Sequence, residues 1–240
     1  MIPHGCIVYP DTSPLYNIFH NDYCIVQFGF GFEYKGVDTA IRAIHRLKYK
    51  HPDPEKYRDI YFCYLCSESP FTKNIHNNYH QKLRALIHEL GLEENVTIQR
   101  GYLSDQHLYN FLKTAKLAIF PYRSNQENRV YAASGAVRKA MAAGIPVIAS
   151  TCSHFDDIEG VVPRIRDDRE LAEEIDRAFS DESLRKRMVE KNLQFVIDNS
   201  WKSVADRHGQ IFEQIINDTH KDNILLHYDD YEVVEDKPMI

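Results

Sequence analysis

From Tyr23 onward, short apolar runs alternate with amphipathic stretches. Residues 23–30 (YCIVQFGF) are rich in β-formers and end among glycines, as in a strand buried on both faces. Val37, Ala40, Ile41, Ile44 and Leu47 then follow helical spacing. Residues 59–65 predict a second strand, and Tyr79, Leu83, Leu86, Ile87 and Leu90 mark a second helix stopped by Gly91. A third strand is predicted over 96–99. Ser104 can cap a helix carrying Leu108, Phe111 and Leu112, and a fourth strand over 117–120 stops at Pro121. A polar loop over 122–132 leads to a helix over 133–143, ended by Gly144 and Pro146, and a strand over 146–149. After a short strand near Val161, three helices follow. Asp167 with Glu170 forms a capping box for the first, Asp181 caps the second, and Ser200 precedes a third bearing Val204, His208, Ile211, Phe212 and Ile215. Periodicity fades in an acidic stretch from 217.

Repeated β-α units imply right-handed crossovers and a parallel sheet covered on both faces, that is, an α/β, Rossmann-like doubly wound domain. The expected organisation is an N-terminal segment over 1–20, the domain over 21–216 and an acidic tail over 217–240. Such sheets bind ligands beyond the carboxyl ends of their strands, here the loops after Phe30, Leu65, Gln99, Phe120 and Ala149.

Composition narrows the function. With 43% hydrophobic residues in 240, the chain can bury a core, and a net charge of −6 offers nothing to a phosphate backbone, so nucleic acid is set aside as a partner. Five cysteines at irregular spacing suit a reducing compartment better than a disulfide scaffold. Cys63 and Cys66 form a CxxC within a predicted strand, where residues three apart face opposite ways, so no shared metal is expected. No transmembrane segment or signal peptide is evident, and a cytoplasmic protein is expected, with any membrane contact made through a surface or a partner.

Two constellations carry chemistry. Residues 28–36 (FGFGFEYKG) place Gly29, Gly31 and Gly36 around Lys35, just before a helix whose amino terminus favours anions; the set suits a diphosphate, or is a tight turn with a surface lysine. It is not the GxGxxG fingerprint, which weighs against a nicotinamide enzyme. Small residues at the head of the helix near 133, with Ser134, Gly135 and Ala136, leave first-turn amides uncovered for phosphate or sugar oxygens, or permit close helix-sheet packing. Tyr102 and Leu103, after the third strand, either contact a nucleobase or tuck against the next helix. Asp156 and Asp157 read as capping or solvated residues, and His4 as structural or exposed.

Residues 140–150 (AMAAGIPVIAS) closely resemble the EAMAxGxPVIAS segment of the large retaining glycosyltransferase family, glycosyl transferases group 1, that includes sucrose synthases and bacterial mannosyl- and glucosyltransferases. Residues 2–5 (IPHG) resemble its hinge segment, Lys35-Gly36 its phosphate-binding lysine, residues 90–96 (LGLEENV) its LGLxxNV, Gly101 its glycine loop near the base and Ser200-Trp201 its late SW. The resemblance covers about residues 2–216. It implies the C-terminal, donor-binding half of a GT-B fold. Such a half binds a nucleotide-diphosphate sugar without metal or cofactor, for transfer to a glycan or lipid acceptor in polysaccharide biosynthesis.

Departures are equally specific. Phe30 stands where the family commonly has an arginine, leaving Arg123 and Arg129 as substitutes for the second phosphate cation. The paired glutamates fall on Tyr131 and Lys139; the second usually accepts ribose hydroxyls, which an ammonium cannot do. Glu127 is the nearby carboxylate for a sugar contact, or a solvated loop residue. A branch of the family with Ser-Gly at the head of this helix resembles this chain. About 20 residues precede the first strand, against roughly 30 for one βαβ unit, so the acceptor is expected on an N-terminal domain or separate subunit. The chain is then a fragment, a truncated product or half of a split enzyme, and is not expected to turn over alone. A non-catalytic nucleotide-sugar-binding or interaction module and a nucleotide-sugar epimerase are the alternatives.

Overall fold

A computed structural model describes residues 2–9, 14, 19, 22–67, 73–123 and 133–221, without the side chains of 73–77 and 219–221. Among these, six strands form one parallel sheet: β1 (Cys24–Phe30), β2 (Tyr61–Ser67), β3 (Val96–Arg100), β4 (Leu117–Phe120), β5 (Val147–Ser150) and β6 (Arg164–Ile165). Their spatial order, β3-β2-β1-β4-β5-β6, is that of a Rossmann-like sheet, whose switch point lies between β1 and β4. The helices are α1 (Val37–Lys50), α2 (Lys73–Glu89), α3 (Asp105–Thr114), α4 (Gly135–Ala142), α5 (Asp168–Ser180), α6 (Glu182–Asp198) and α7 (Trp201–Lys221).

Alternation along each strand builds two cores. Ile25, Phe62, Tyr64 and Cys66 face α1, α2 and α5, whereas Val26, Phe28, Cys63 and Leu65 face α3 and α4. Cys63 and Cys66 accordingly lie on opposite faces of the sheet. Ser104 caps α3 through the amide of His107, and Asp181 caps α6 through that of Leu184.

Several local expectations shift. The sixth strand is Arg164–Ile165, not Val161, because Val161 and Val162 pack beneath the preceding 3₁₀ turn (Ser153–Ile158) instead of pairing with β5. The capping box is half formed: Asp167 accepts from the amide of Glu170, but Glu170 turns back to the amide and guanidinium of Arg166. Helix α7 runs past 217 to Lys221, with Ile211, Phe212, Ile215 and Ile216 exposed along it.

The two ends of the resemblance meet. Cys6 forms a parallel bridge with Ser200, donating to Asn199 O at 2.8 Å and accepting from Trp201 N at 3.1 Å. A Cβ at Gly5 would stand 2.3 Å from the Trp201 ring, so glycine is required for this packing. Among the described residues no helix is long and apolar enough to cross a membrane.

Candidate functional site at the β1–β4 seam

The site begins with the strand that carries it. Gln27 is the polar residue inside the apolar run of β1. It is fully buried, and its amide donates to the carbonyl of Lys35 at 2.8 Å, anchoring the 3₁₀ turn (Glu33–Lys35) above the strand. Gly36 follows at φ 65°, and a Cβ there would lie 1.9 Å from the carbonyl oxygen of Pro121 at the end of β4. Its glycine therefore serves a close approach between two loops of the protein. Gly29 also has positive φ, at 138°, and faces the Lys35 side chain; Gly31 is buried in the turn between Phe30 and Phe32.

Lys35 Nζ donates to Tyr122 Oη at 2.8 Å and sits 3.9 Å from the centroid of the Tyr122 ring and 4.9 Å from that of Tyr34. Burial lowers its pKa to about 8, against a smaller opposing influence from Cys152. The surroundings are aromatic: Tyr34 stacks on His154 at 5.7 Å and meets Tyr122 edge-on at 5.8 Å. Burial lowers the His154 pKa, with Lys35 adding to the effect, and burial raises that of the Tyr122 hydroxyl.

Tyr122 Oη also lies 3.3 Å from Ser134 Oγ. Ser134 is the N-cap residue of α4, buried, and its hydroxyl makes no cap bond to the helix because it is turned toward Tyr122. Among the described residues the first turn of α4 thus has no side-chain cap. Gly135 is exposed, and a Cβ on it would meet nothing within 4 Å, so no contact among the described residues demands glycine there. Ala136 packs partly against the core. Lys35, Ser134 and the uncapped head of α4, distant in sequence, are brought to one side of the β1–β4 seam.

The amino terminus of α1 already has partners within the protein. The amide of Val37 donates to Tyr79 Oη at 3.2 Å, and the first turn carries Asp38, paired with Arg123. Arg123 is held against α1 by that pair, and its own amide donates to Tyr34 O at 2.7 Å. It lines an open cavity of about 520 Å³ at the carboxyl ends of β4, β5 and β6, with Arg42, Tyr122, Thr151, Cys152 and Arg166. Glu127, Arg129 and Tyr131 lie outside the described residues.

The segment after β3 divides. Tyr102 is 82% exposed, whereas Leu103 packs against the core and fits the tucked reading. Lys139 reaches away from the head of α4 and pairs with Asp105 at 2.7 Å, tying α4 to the first turn of α3. Sequence reasoning missed Tyr122, Gln27 and Arg138. It also misread Asp157, which is neither cap nor solvated: it pairs with the buried Arg138. Among the described residues no group of three or more His, Cys, Asp or Glu is placed to hold a metal.

The family model for glycosyl transferases group 1 matches residues 11–195. The chain belongs to that family. No functionally curated protein sequence matches it. Solved structures do. WaaG, a glycosyltransferase involved in lipopolysaccharide biosynthesis, is similar with a TM-score of 0.61 and 20% identity over 88% of this chain and 55% of its own. HepE from Anabaena in complex with UDP-glucose is similar with a TM-score of 0.61 and 17% identity over 82% and 49%, respectively. Sucrose-phosphate synthase from Thermosynechococcus elongatus gives 0.62 and 20% over 82% and 46%. At these identities the likeness shows the fold, one Rossmann-like half of GT-B glycosyltransferases, and this chain spans about half the length of each.

Proposed function

We propose that this chain is the donor-binding half of a retaining hexosyltransferase that takes a nucleotide-diphosphate sugar. The acceptor, a glycan or lipid of a surface polysaccharide or another glycoconjugate, would be held by a second domain or subunit. The observation that carries the reading is the convergence of the Lys35 ammonium and the uncapped head of α4 across Tyr122 and Ser134. A leaving diphosphate develops negative charge. A cation and backbone amides already fixed in place would stabilise that charge as it forms, without a metal or cofactor. Family membership supports the reaction class, and the UDP-glucose complex of HepE supports a nucleotide sugar as ligand. Tyr102, exposed beyond β3, offers a face for the base. A cytoplasmic location is part of the proposal, since nucleotide sugars and reduced cysteines are both at home there.

Isothermal titration of UDP-, GDP- and ADP-sugars tests the reading; a folded protein that bound none of them at millimolar concentration would defeat it. A second reading, a binding module without turnover, is favoured by Lys139 and its pair with Asp105, which put an ion pair where the family has a hydroxyl acceptor. Sugar transfer on mixing with a candidate acceptor subunit separates the two.

A further inference from the structure

Arg138 is 2% exposed, the buried charge of a helix whose other buried residues are Val137, Ala140, Met141 and Ala142, and its guanidinium holds three segments at once. Nε donates to His4 O at 3.2 Å, Nη1 donates to Ser134 O at 3.0 Å, and Nη2 pairs with Asp157 in the 3₁₀ turn after β5. Beyond Ser134 the polar contacts continue through its hydroxyl to Tyr122 Oη at 3.3 Å, and from there to Lys35 Nζ at 2.8 Å. Contacts thus link the backbone of the N-terminal segment to the ammonium at the seam, passing through Ser134 from its carbonyl to its hydroxyl.

Stability does not account for the arginine. A buried ion pair commonly holds a fold no better than an apolar pair of the same volume. An apolar pair cannot, however, fix two backbone carbonyls from separate segments at set points.

We propose that Arg138 is a positioning residue: it fixes the head of α4 against residues 2–9 and, through Ser134 and Tyr122, sets where the Lys35 ammonium stands. This rests on the reading of Lys35 as the phosphate cation, and Arg138 itself would touch no ligand. Among the described residues the groups facing Lys35 are Tyr34 from its own turn, Tyr122 from the end of β4, and Cys152 and His154 from the loop after β5. A shift of α4 that released Tyr122 would open this enclosure to water and relieve the burial that lowers the lysine pKa.

The test follows the titration of Lys35 in the full chain by the ¹³Cε resonance of ¹³C-lysine-labelled protein, assigned with Lys35→Arg. The wild-type midpoint is expected at about 8. Arg138→Met alone strands a buried carboxylate, so the variant used is Arg138→Met with Asp157→Leu, which removes both charges. Ser134→Ala cuts the chain one link later and leaves the ion pair intact. Each is expected to raise the midpoint by about half a pH unit or more, and their combination by no more than the larger single effect, as for members of one chain. An unchanged midpoint in the folded Arg138→Met/Asp157→Leu protein overturns the proposal. Should that protein not fold, an unchanged midpoint in Ser134→Ala overturns it instead. Because no ligand is present, this result is independent of the nucleotide-sugar titration: failure to bind a donor would defeat the donor-site reading and leave the positioning role to be decided by the resonance.

Discussion

The ammonium of Lys35 stands over the ring of Tyr122, 3.9 Å from its centroid, while donating to the hydroxyl of the same residue. One tyrosine thus supplies both a π-face and a hydrogen-bond acceptor, and burial brings the lysine pKa down to about 8. In the free protein the cation is lost as pH rises through that value. Diphosphate affinity should therefore fall roughly tenfold per pH unit above about 8, until the higher pKa of the complex is reached. Folding responds in the opposite sense: the unfolded chain keeps its proton up to the ordinary value of 10.5, so this group makes stability rise between about 8 and 10.5. Calorimetry with pyrophosphate from pH 7 to 9.5 reads the first effect. Lys35→Ala should cost roughly 10- to 100-fold in affinity, the worth of a charge-assisted bond, and abolish the pH dependence.

Gly36→Ala should unfold easily. The substitution meets both a left-handed backbone and the Pro121 carbonyl, with a combined cost of about 3 kcal/mol or more. A thermal midpoint roughly 6–12 °C lower is expected by calorimetry. Gly135→Ala, where a Cβ meets nothing, is the control and should leave the midpoint nearly unchanged.

A substitution at Tyr102 tests the proposed base contact apart from the phosphate contact. At 82% exposure its removal should leave stability alone, but Tyr102→Ala should weaken binding of a nucleoside diphosphate by about 1–3 kcal/mol if the base stacks on it. Pyrophosphate affinity should not move. Equal losses for both ligands would remove Tyr102 from the base contact.

Asp176 sets a different pH response, away from the seam. Burial opposes its ionisation, yet bonds from Lys56 Nζ at 2.7 Å and Tyr57 Oη at 2.6 Å outweigh it and hold the carboxyl at about 2. With the folded pKa below the ordinary 3.8, the contribution is complete above that value and is lost as pH falls through about 2. The carboxylate is a third exposed, so screening reduces its share to about 1–2 kcal/mol. Asp176→Asn should lower the urea midpoint at pH 7 and match the wild type near pH 2.

The order of strands and helices was legible because each long element carries its own period: Val37 to Leu47 and Tyr79 to Leu90 bury one face each, as their spacing requires. Lys35 and Ser134 were legible as neighbours in space because a doubly wound sheet gathers its carboxyl-end loops. Tyr122 was not, since an aromatic after a strand reads as packing until its hydroxyl is seen between two polar groups. Gln27 and Arg138 left a signal that went unused. Each is a polar side chain at a position its element must bury, and such a residue needs partners from elsewhere in the chain. Gly36 is legible as a sharp turn, which its φ of 65° bears out, but its contact with Pro121 is not, because sequence cannot distinguish a glycine that admits a ligand from one that admits a neighbouring carbonyl. Two-residue β6 is too short for any periodicity to mark.

The contact of Gly36 with Pro121 crosses the line where the chain reverses its direction of winding. It acts there as a peg between the two halves of the sheet, and with the bonds from Gln27 to Lys35 O and from Arg123 N to Tyr34 O it ties the loop bearing Lys35 to both strands. An incoming diphosphate would then find its cation already in place, with little ordering left to be done on arrival. On the donor-site reading, changes in which sugar or acceptor is used could accumulate around such a peg while the phosphate end of the ligand stayed where it was.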